Sequence, residues 1–243
     1  MLHREIGASR REDLAAHDVD LWVVPLPVPE SVEQTLADTL CEAERKRAAG
    51  YAVPIGRRQF VASRGILRLL LGSYLGLAPE SVKLVSLAQG KPALQDHRAM
   101  FFNISHTDGL LLVALAAGME VGVDVERVRP IANAPVLANR FFSARERAGM
   151  EGGPDAFLRL WTCRESAVKA AGKGISAGWD AVRIVQRRRD EADAVGLGED
   201  CHIRLLSPRP GYVAALAALT THFHVRQTRT LSLTHHETFR DIA

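Results

Sequence analysis

Apolar and polar positions alternate along this chain in two distinct periods, and the switches between them mark its elements. Val19 to Leu26 (VDLWVVPL) is a continuous apolar, β-branched run, which predicts a buried strand ended by Pro25, Pro27 and Pro29. From Ser31 to about Arg47 the period becomes helical, with Glu and Arg outward, and Gly50 to Gly56 is a break. Arg57 to Leu75 predicts a stronger helix. Its inner stripe is Phe60, Ser63, Leu67, Leu70, Leu71 and Tyr74, with Arg64 and Arg68 beside it and Gly76 closing it. A short strand near 82–86 leads to the turn Gln89-Gly-Lys-Pro92. Met100 to His106 and Leu110 to Ala116 are apolar strands around Thr107-Asp-Gly109, a predicted hairpin.

The second half repeats the plan. After the turn 117–120 comes a strand, Val121 to Val125, then helical pattern over 131–140. Ser143-Ala-Arg-Glu146 has the spacing of a capping box opening a short helix. Gly152-Gly-Pro154 breaks the chain, and Asp155 is placed to cap a central helix within the stretch 158–176, which Gly172 and Gly174 can end. Strands follow at 181–185, 203–206 and 212–218, with Ser207-Pro-Arg-Pro-Gly211 as a hairpin turn. Arg187-Arg-Arg189 and the acidic residues after it read as an exposed loop, and the polar stretch past Phe223 as a mobile tail. Each half opens with a strand, passes through helices and closes with strands that include a hairpin. The expected fold is therefore α+β and pseudo-duplicated. The expected boundaries are 1–117, 118–226 and a tail, 227–243.

Bulk properties narrow the class. At 243 residues and 47% hydrophobic, the chain can bury a sizeable core. A net charge of +3 is too small to call for nucleic acid. No apolar run reaches membrane-spanning length, and the first residues lack the apolar centre of a signal peptide. Cys41, Cys163 and Cys201 are too few and too scattered for a disulfide framework or a zinc site, so reduced thiols in a cytoplasmic protein are expected. His222, His224, His235 and His236 show no metal-ligand spacing. Only five of the 31 basic residues are Lys: Lys46, Lys83, Lys91, Lys169 and Lys173. Where Arg is the default cation, a Lys marks a place that suits a compact point charge.

The candidate chemistry lies in two stretches. On the central helix Trp161, Glu165 and Lys169 fall at i, i+4 and i+8 and share a face. Alone they are equally a surface helix with one ion pair. On the strand Gly122-Val-Asp-Val-Glu126, Asp124 and Glu126 point the same way. Two such carboxylates need a cation between them, a divalent metal, or else separate ion pairs with arginines such as Arg127 and Arg129. Three carboxylates with a lysine suit Mg²⁺ and a phosphoryl or pyrophosphoryl substrate. Lys91 in its turn is either solvated or a phosphate contact, and His106 either structural or working.

Phe102-Asn-Ile-Ser-His106, Gly122-Val-Asp-Val-Glu126, Phe141-Phe-Ser143 and Trp161-Thr-Cys-Arg-Glu-Ser-Ala-Val-Lys169, followed by Gly172-Lys-Gly174, together resemble the signature of 4′-phosphopantetheinyl transferases, closest to the long, monomeric Sfp type. The resemblance spans about Glu44 to Ala218 and is specific as a set. It implies two similar α/β lobes related by a pseudo-twofold axis, with coenzyme A in the cleft between them. It implies transfer of the phosphopantetheine arm to a serine of an apo acyl or peptidyl carrier protein, with adenosine 3′,5′-bisphosphate as the other product. By matching motif, Asp124, Glu126 and Glu165 would bind Mg²⁺, or Mn²⁺ in its place. Glu165 would take the serine proton and Lys169 would stabilise the leaving phosphate. Arg64, Lys91 and His106, with Ser105 and the backbone of Gly90 to Pro92, would contact coenzyme A. Arg45 lies in the equivalent basic segment, at a spacing that departs from the family pattern. No nucleic-acid or membrane partner is implied. The rivals are a metal-dependent nuclease, whose lysine would sit on a carboxylate-bearing strand, and a coenzyme A- or carrier-binding module without catalysis.

Overall fold

The computed structural model describes residues 13–87, 89–97, 99–148, 153, 155–174, 179 and 181–233. The first half comprises β1 (Asp18–Pro25), α1 (Glu30–Asp38), α2 (Glu42–Ala49), α3 (Pro54–Leu75), β2 (Leu84–Ser86), β3 (Pro92–Leu94), β4 (Met100–Thr107) and β5 (Leu110–Ala117). The second comprises β6 (Val121–Arg127), α4 (Ala134–Phe141), α5 (Ala144–Ala148), α6 (Ala156–Ala170), β7 (Arg183–Arg188), β8 (Glu191–Val195), β9 (Cys201–Leu206) and β10 (Tyr212–Ala218), before β11 (His224–Thr230). One sheet runs β11-β1-β5-β4 and another β6-β10-β9-β8-β7, with β2 and β3 forming a separate small hairpin. The mixed α+β architecture is as expected.

Side-chain alternation stacks these elements in layers. Trp22 and Val24 of β1 and Leu111, Val113 and Leu115 of β5 pack with α3. The intervening residues, Val19, Leu21 and Val23 with Leu110, Leu112 and Ala114, face the other way. They meet Val121, Val123 and Val125 of β6 and Ala214 and Leu216 of β10. The opposite face of the second sheet, Ala215, Ala217, Ile203 and Ala192, packs with Cys163, Ala167 and Val168 of α6. The order is thus α3, sheet, sheet, α6. It explains why β5 is apolar at every position from Leu110 to Ala116: both its faces are covered.

Several boundaries differ from expectation for identifiable reasons. The helix expected over 31–47 is two helices. Thr39 Oγ donates to the Leu36 carbonyl at 2.7 Å, and Cys41 starts α2 with its amide donating to Glu44 Oε2 at 3.3 Å. Cysteine is an uncommon residue for that capping position, so the break is hard to read. The long helix begins at Pro54 rather than Arg57, since proline at the first helical position lacks only an N–H that would be unpaired anyway. Gly76 ends it at φ +65°, as expected. The presumed loop at 187–189 is instead the β7–β8 hairpin, held on its outer face by Arg187–Asp193 at 2.5 Å and Arg188–Glu191 at 3.5 Å. The Ser143–Glu146 capping box forms, with Ser143 N–H to Glu146 Oε2 at 2.8 Å. Asp155 sits at the N-cap of α6, but its carboxylate accepts from Arg159 Nε at 2.7 Å and leaves the helix amides alone. Gly152, Pro154, Ser176 and the His235–His236 pair lie outside the described residues.

The polar stretch past Phe223 is in part a strand. β11 pairs in parallel with β1 and runs across residue 226. Its anchor is Asp20, which is fully buried and accepts from Arg226 Nε at 2.8 Å, Gln227 Nε2 at 2.6 Å and the Tyr74 hydroxyl at 2.6 Å. Tyr74 in turn accepts from Trp22 Nε1 at 3.1 Å. A tail read by its polarity conceals this, because the partner carboxylate lies 206 residues earlier. Tyr74→Phe removes the shared hydroxyl from both neighbours, so a loss of about 1–3 kcal/mol in urea unfolding is expected.

All three cysteines are free, and burial pushes the Cys163 and Cys201 thiols up to about 12. Among the described residues no helix is long and apolar enough to cross a membrane.

Candidate functional site

The centre of the site is where α6 crosses β6. Gly122 sets the separation: a Cβ there would run into the Ser166 carbonyl oxygen and the Ala170 amide nitrogen, and would lie 3.0 Å from the Lys169 carbonyl carbon. With no side chain in the way, the helix rests on the strand backbone. Two residues on, Asp124 points to the same face and meets the helix side chains. Lys169 Nζ lies 2.6 Å from Asp124 Oδ1, 3.3 Å from the Val123 carbonyl and 3.2 Å from Ser105 Oγ. Ser105 itself donates to Asp124 Oδ1 at 2.9 Å. Asn103, on the same face of β4, accepts from the Val123 amide at 3.0 Å, so β4 is fastened to β6 by polar side chains at i and i+2.

Glu165 is buried on the same helix, at 6% exposure, which excludes a surface helix. Burial raises its carboxyl from an ordinary 4.5 to about 6. The Lys169 charge opposes that rise, while Asp124 and Glu126 add to it. The three carboxylates therefore lie in one another's field. They are not closed into a cage, since among the described residues no three His, Cys, Asp or Glu side chains are grouped to hold a metal ion. Lys169 occupies Asp124 Oδ1, and Arg129 pairs with Glu126 at 3.1 Å. Arg127 turns to Asp108 instead. Asp124 Oδ2 is buried and has no hydrogen-bond partner.

His106 follows Ser105 at the end of β4. Desolvation, then the neighbouring Lys169 charge, holds its imidazole below the usual range. Ser105, His106, Asp124, Glu165 and Lys169 are thus brought together from β4, β6 and α6.

The remaining predicted residues fall in two other places. Arg64 on α3 lies 5.9 Å from the centre of the Phe60 ring, and Arg47 of α2 lies 5.2 Å from the same ring. Burial lowers the Arg64 pKa, Glu44 opposes this, and Arg47 and Arg68 lower it further. Arg45 is exposed and donates to the Leu40 carbonyl. Arg47 is therefore a neighbour of Arg64 that sequence reasoning missed, because the two come from different helices and meet at Phe60. Arg68, beside the helix stripe, is fully buried and holds Glu44 at 2.5 Å and the Val82 carbonyl at 2.9 Å.

Lys91 is neither solvated nor free. Only 8% of its side chain is exposed, and its ammonium is taken up by Glu120 at 2.5 Å, the Ala170 carbonyl at 2.9 Å and the Val121 carbonyl at 3.1 Å. Gly90 has φ +82° and Pro92 opens β3. Lys173, between the two glycines after α6, donates to the Leu197 carbonyl at 2.6 Å.

The crossing of α6 and β6 thus gathers a lysine on a strand aspartate, a buried helical glutamate one turn away and a serine–histidine pair from the adjoining strand. Residues 120–217 match the family model of the 4′-phosphopantetheinyl transferase superfamily. The 4′-phosphopantetheinyl transferase HetI of Nostoc sp. is 43% identical over 171 residues, covering 67% of this chain and 72% of that protein. The enzyme Sfp of Bacillus subtilis, also a 4′-phosphopantetheinyl transferase, is 28% identical over 198 residues, 74% of this chain and 87% of that protein. AcpT of Escherichia coli is 37% identical over 122 residues, 48% of this chain and 60% of that protein. The chain belongs to the 4′-phosphopantetheinyl transferase superfamily, as the sequence motifs implied.

Proposed function

We propose that this protein transfers the 4′-phosphopantetheine arm of coenzyme A to a serine hydroxyl of an apo acyl or peptidyl carrier protein, in a reaction dependent on Mg²⁺. The observation that carries the reading is the cluster of Lys169, Asp124, Ser105 and Glu165 at the crossing of α6 and β6. The serine oxygen of the carrier attacks the phosphorus that bears the pantetheine arm. A new O–P bond forms, and the bond from that phosphorus to the bridging oxygen breaks. Adenosine 3′,5′-bisphosphate leaves with the bonding pair. Glu165 receives the serine proton, directly or through a water. Lys169 donates to the oxygens of the leaving phosphate, whose charge grows along the reaction.

Asp124, Glu126 and Glu165 are the residues that would hold the metal. Oxygen donors suit Mg²⁺ or Mn²⁺, and the unpartnered Asp124 Oδ2 is an available ligand atom. Bound there, a divalent ion supplies positive charge that offsets the pyrophosphate. Coenzyme A lies between two lobes, a reading supported by their matching strand orders, β1-β5-β4 and β6-β10-β9, each with its first strand beside its last. Its 3′-phosphate is held by Arg64 with Arg47, which shares the Phe60 ring, in place of Arg45, which is turned to Leu40, and His106 is a further contact. The backbone of Gly90 to Pro92 lies along the adenine. The three free thiols support a reducing, cytoplasmic setting, and both lobes in one chain support a monomer.

The test is a mass spectrum of apo carrier protein after incubation with this protein, coenzyme A and Mg²⁺. A carrier heavier by one phosphopantetheine arm, absent with EDTA and with Glu165→Ala, is the expected result. No mass gain on acyl and peptidyl carriers, together with tight coenzyme A binding by calorimetry, would replace the transferase by a binding module.

A further inference from the structure

The turn that carries Lys91 belongs to the first half of the chain, yet its ammonium ends in the second. It has three donors, and each meets an acceptor: the Glu120 carboxylate, the Val121 carbonyl and the Ala170 carbonyl. Val121 begins the strand that bears Asp124. Ala170 ends the helix that bears Glu165 and Lys169. The same turn touches the glycines beyond the helix: the Lys91 stem packs beside Gly172, and the Gln89 side chain beside Gly174. A cation at the last carbonyls of a helix is also placed where the helix dipole favours it. At this point the strand and helix are in backbone contact over Gly122.

We infer that Lys91 is a positioning residue, whose buried ammonium locks the C-terminal end of α6 onto the start of β6 and so fixes Lys169 and Glu165 against Asp124. The inference differs from the role that the family resemblance gives this lysine, contact with coenzyme A. What separates it from Lys169 is access: its side chain is 8% exposed against 29% for Lys169, so its ammonium is turned into the protein and closed to a phosphate. Its kinetic consequence rests on the transferase reading above; its structural consequence does not.

Two measurements on the intact protein separate the possibilities. The first is hydrogen–deuterium exchange of Lys91→Met, read at the amides of residues 171–173, which bond back to Ala167, Lys169 and Val168. Their exchange is expected to rise at least about tenfold while α3 stays protected, the signature of a locally released helix end. The second is the steady-state split with apo carrier. Here kcat is expected to fall by about tenfold to a hundredfold and KM for coenzyme A to change much less, because the reacting groups are misplaced while the backbone of the turn stays held by the Leu87 amide on the Lys91 carbonyl and the Gly90 amide on the Leu87 carbonyl. Lys91→Arg should not rescue kcat, since a planar guanidinium cannot aim at three divergent acceptors in an ammonium-sized space. A phosphate ligand would tolerate the change. Glu120→Gln weakens the same lock from its other side, and should lower kcat in the same direction even if Lys91→Met fails to fold. Unchanged exchange at 171–173 would overturn the inference, as would a raised KM for coenzyme A at constant kcat. If the wild-type protein makes no holo-carrier, the transferase reading falls, and the exchange measurement still decides the lock.

Discussion

Glu165→Gln is expected to lower holo-carrier formation by about 10²–10⁴-fold while leaving the folded protein intact or more stable. The two halves of this expectation come from one fact, the burial of Glu165 beside Asp124 and Glu126. Burial disfavours the charged form, so the carboxyl is raised from 4.5 to about 6. A carboxyl raised on folding holds its proton more tightly in the native state than in the unfolded chain. Its contribution to stability is then fully present below pH 4.5 and is lost as pH rises through about 6. Glutamine mimics the protonated form at every pH. In metal-free protein, the urea midpoints of wild type and Glu165→Gln should coincide below pH 4.5, and the variant should be the more stable above about pH 6. Mg²⁺ should raise the wild-type midpoint and act less on the variant, which has lost one charged ligand. A variant that is less stable than wild type at pH 7 would show that Glu165 is held by structure rather than strained for proton transfer. Such a residue is a poor general base.

The legibility of this chain follows from which contacts are local. The strand carboxylates, the i, i+4 pair on α6 and the Ser143–Glu146 box are short-range patterns, and all were readable. So was β5, where an unbroken apolar run announces two covered faces. What escaped depends on partners far along the chain. Two arginines on one phenylalanine, Arg47 and Arg64, come from different helices. Asp20 is an odd carboxylate inside an apolar strand until Arg226 arrives from β11. The outer face of β7 and β8 is written in charges, so its strand period is carried only by Ile184, Ala192 and Ala194. Lys91 was visible as an unusual lysine beside a glycine, but a sequence cannot tell a cation aimed at a ligand from one aimed at a helix end. The metal reading divides along the same line. The oxygen donors were legible, and so was the alternative ion pair of Arg129 with Glu126; that Lys169 engages Asp124 was not.

Gly122→Ala tests the site from its foundation. A single methyl group has no space there, because the opposing atoms are the backbone of α6 at Ser166, Lys169 and Ala170 rather than the ends of flexible side chains. The helix cannot yield by rotating a side chain, so it must move off the strand. Two effects should follow together. Unfolding in urea should show a loss of about 1–3 kcal/mol or more, the cost of overpacking a filled interior. Transfer should fall about a hundredfold or more, because Lys169 Nζ meets Asp124 Oδ1 and Ser105 Oγ only while the helix rests on Gly122. Ser166→Ala is the control: it removes a hydroxyl that donates to the Cys163 carbonyl within the same helix, and leaves the helix-to-strand distance alone. If Gly122→Ala loses stability but keeps full activity, the spacing of α6 and β6 does not set the chemistry, and the positioning role assigned to this crossing fails with it. If it loses activity at unchanged stability, the helix has shifted without unpacking, and the catalytic geometry is the more demanding of the two.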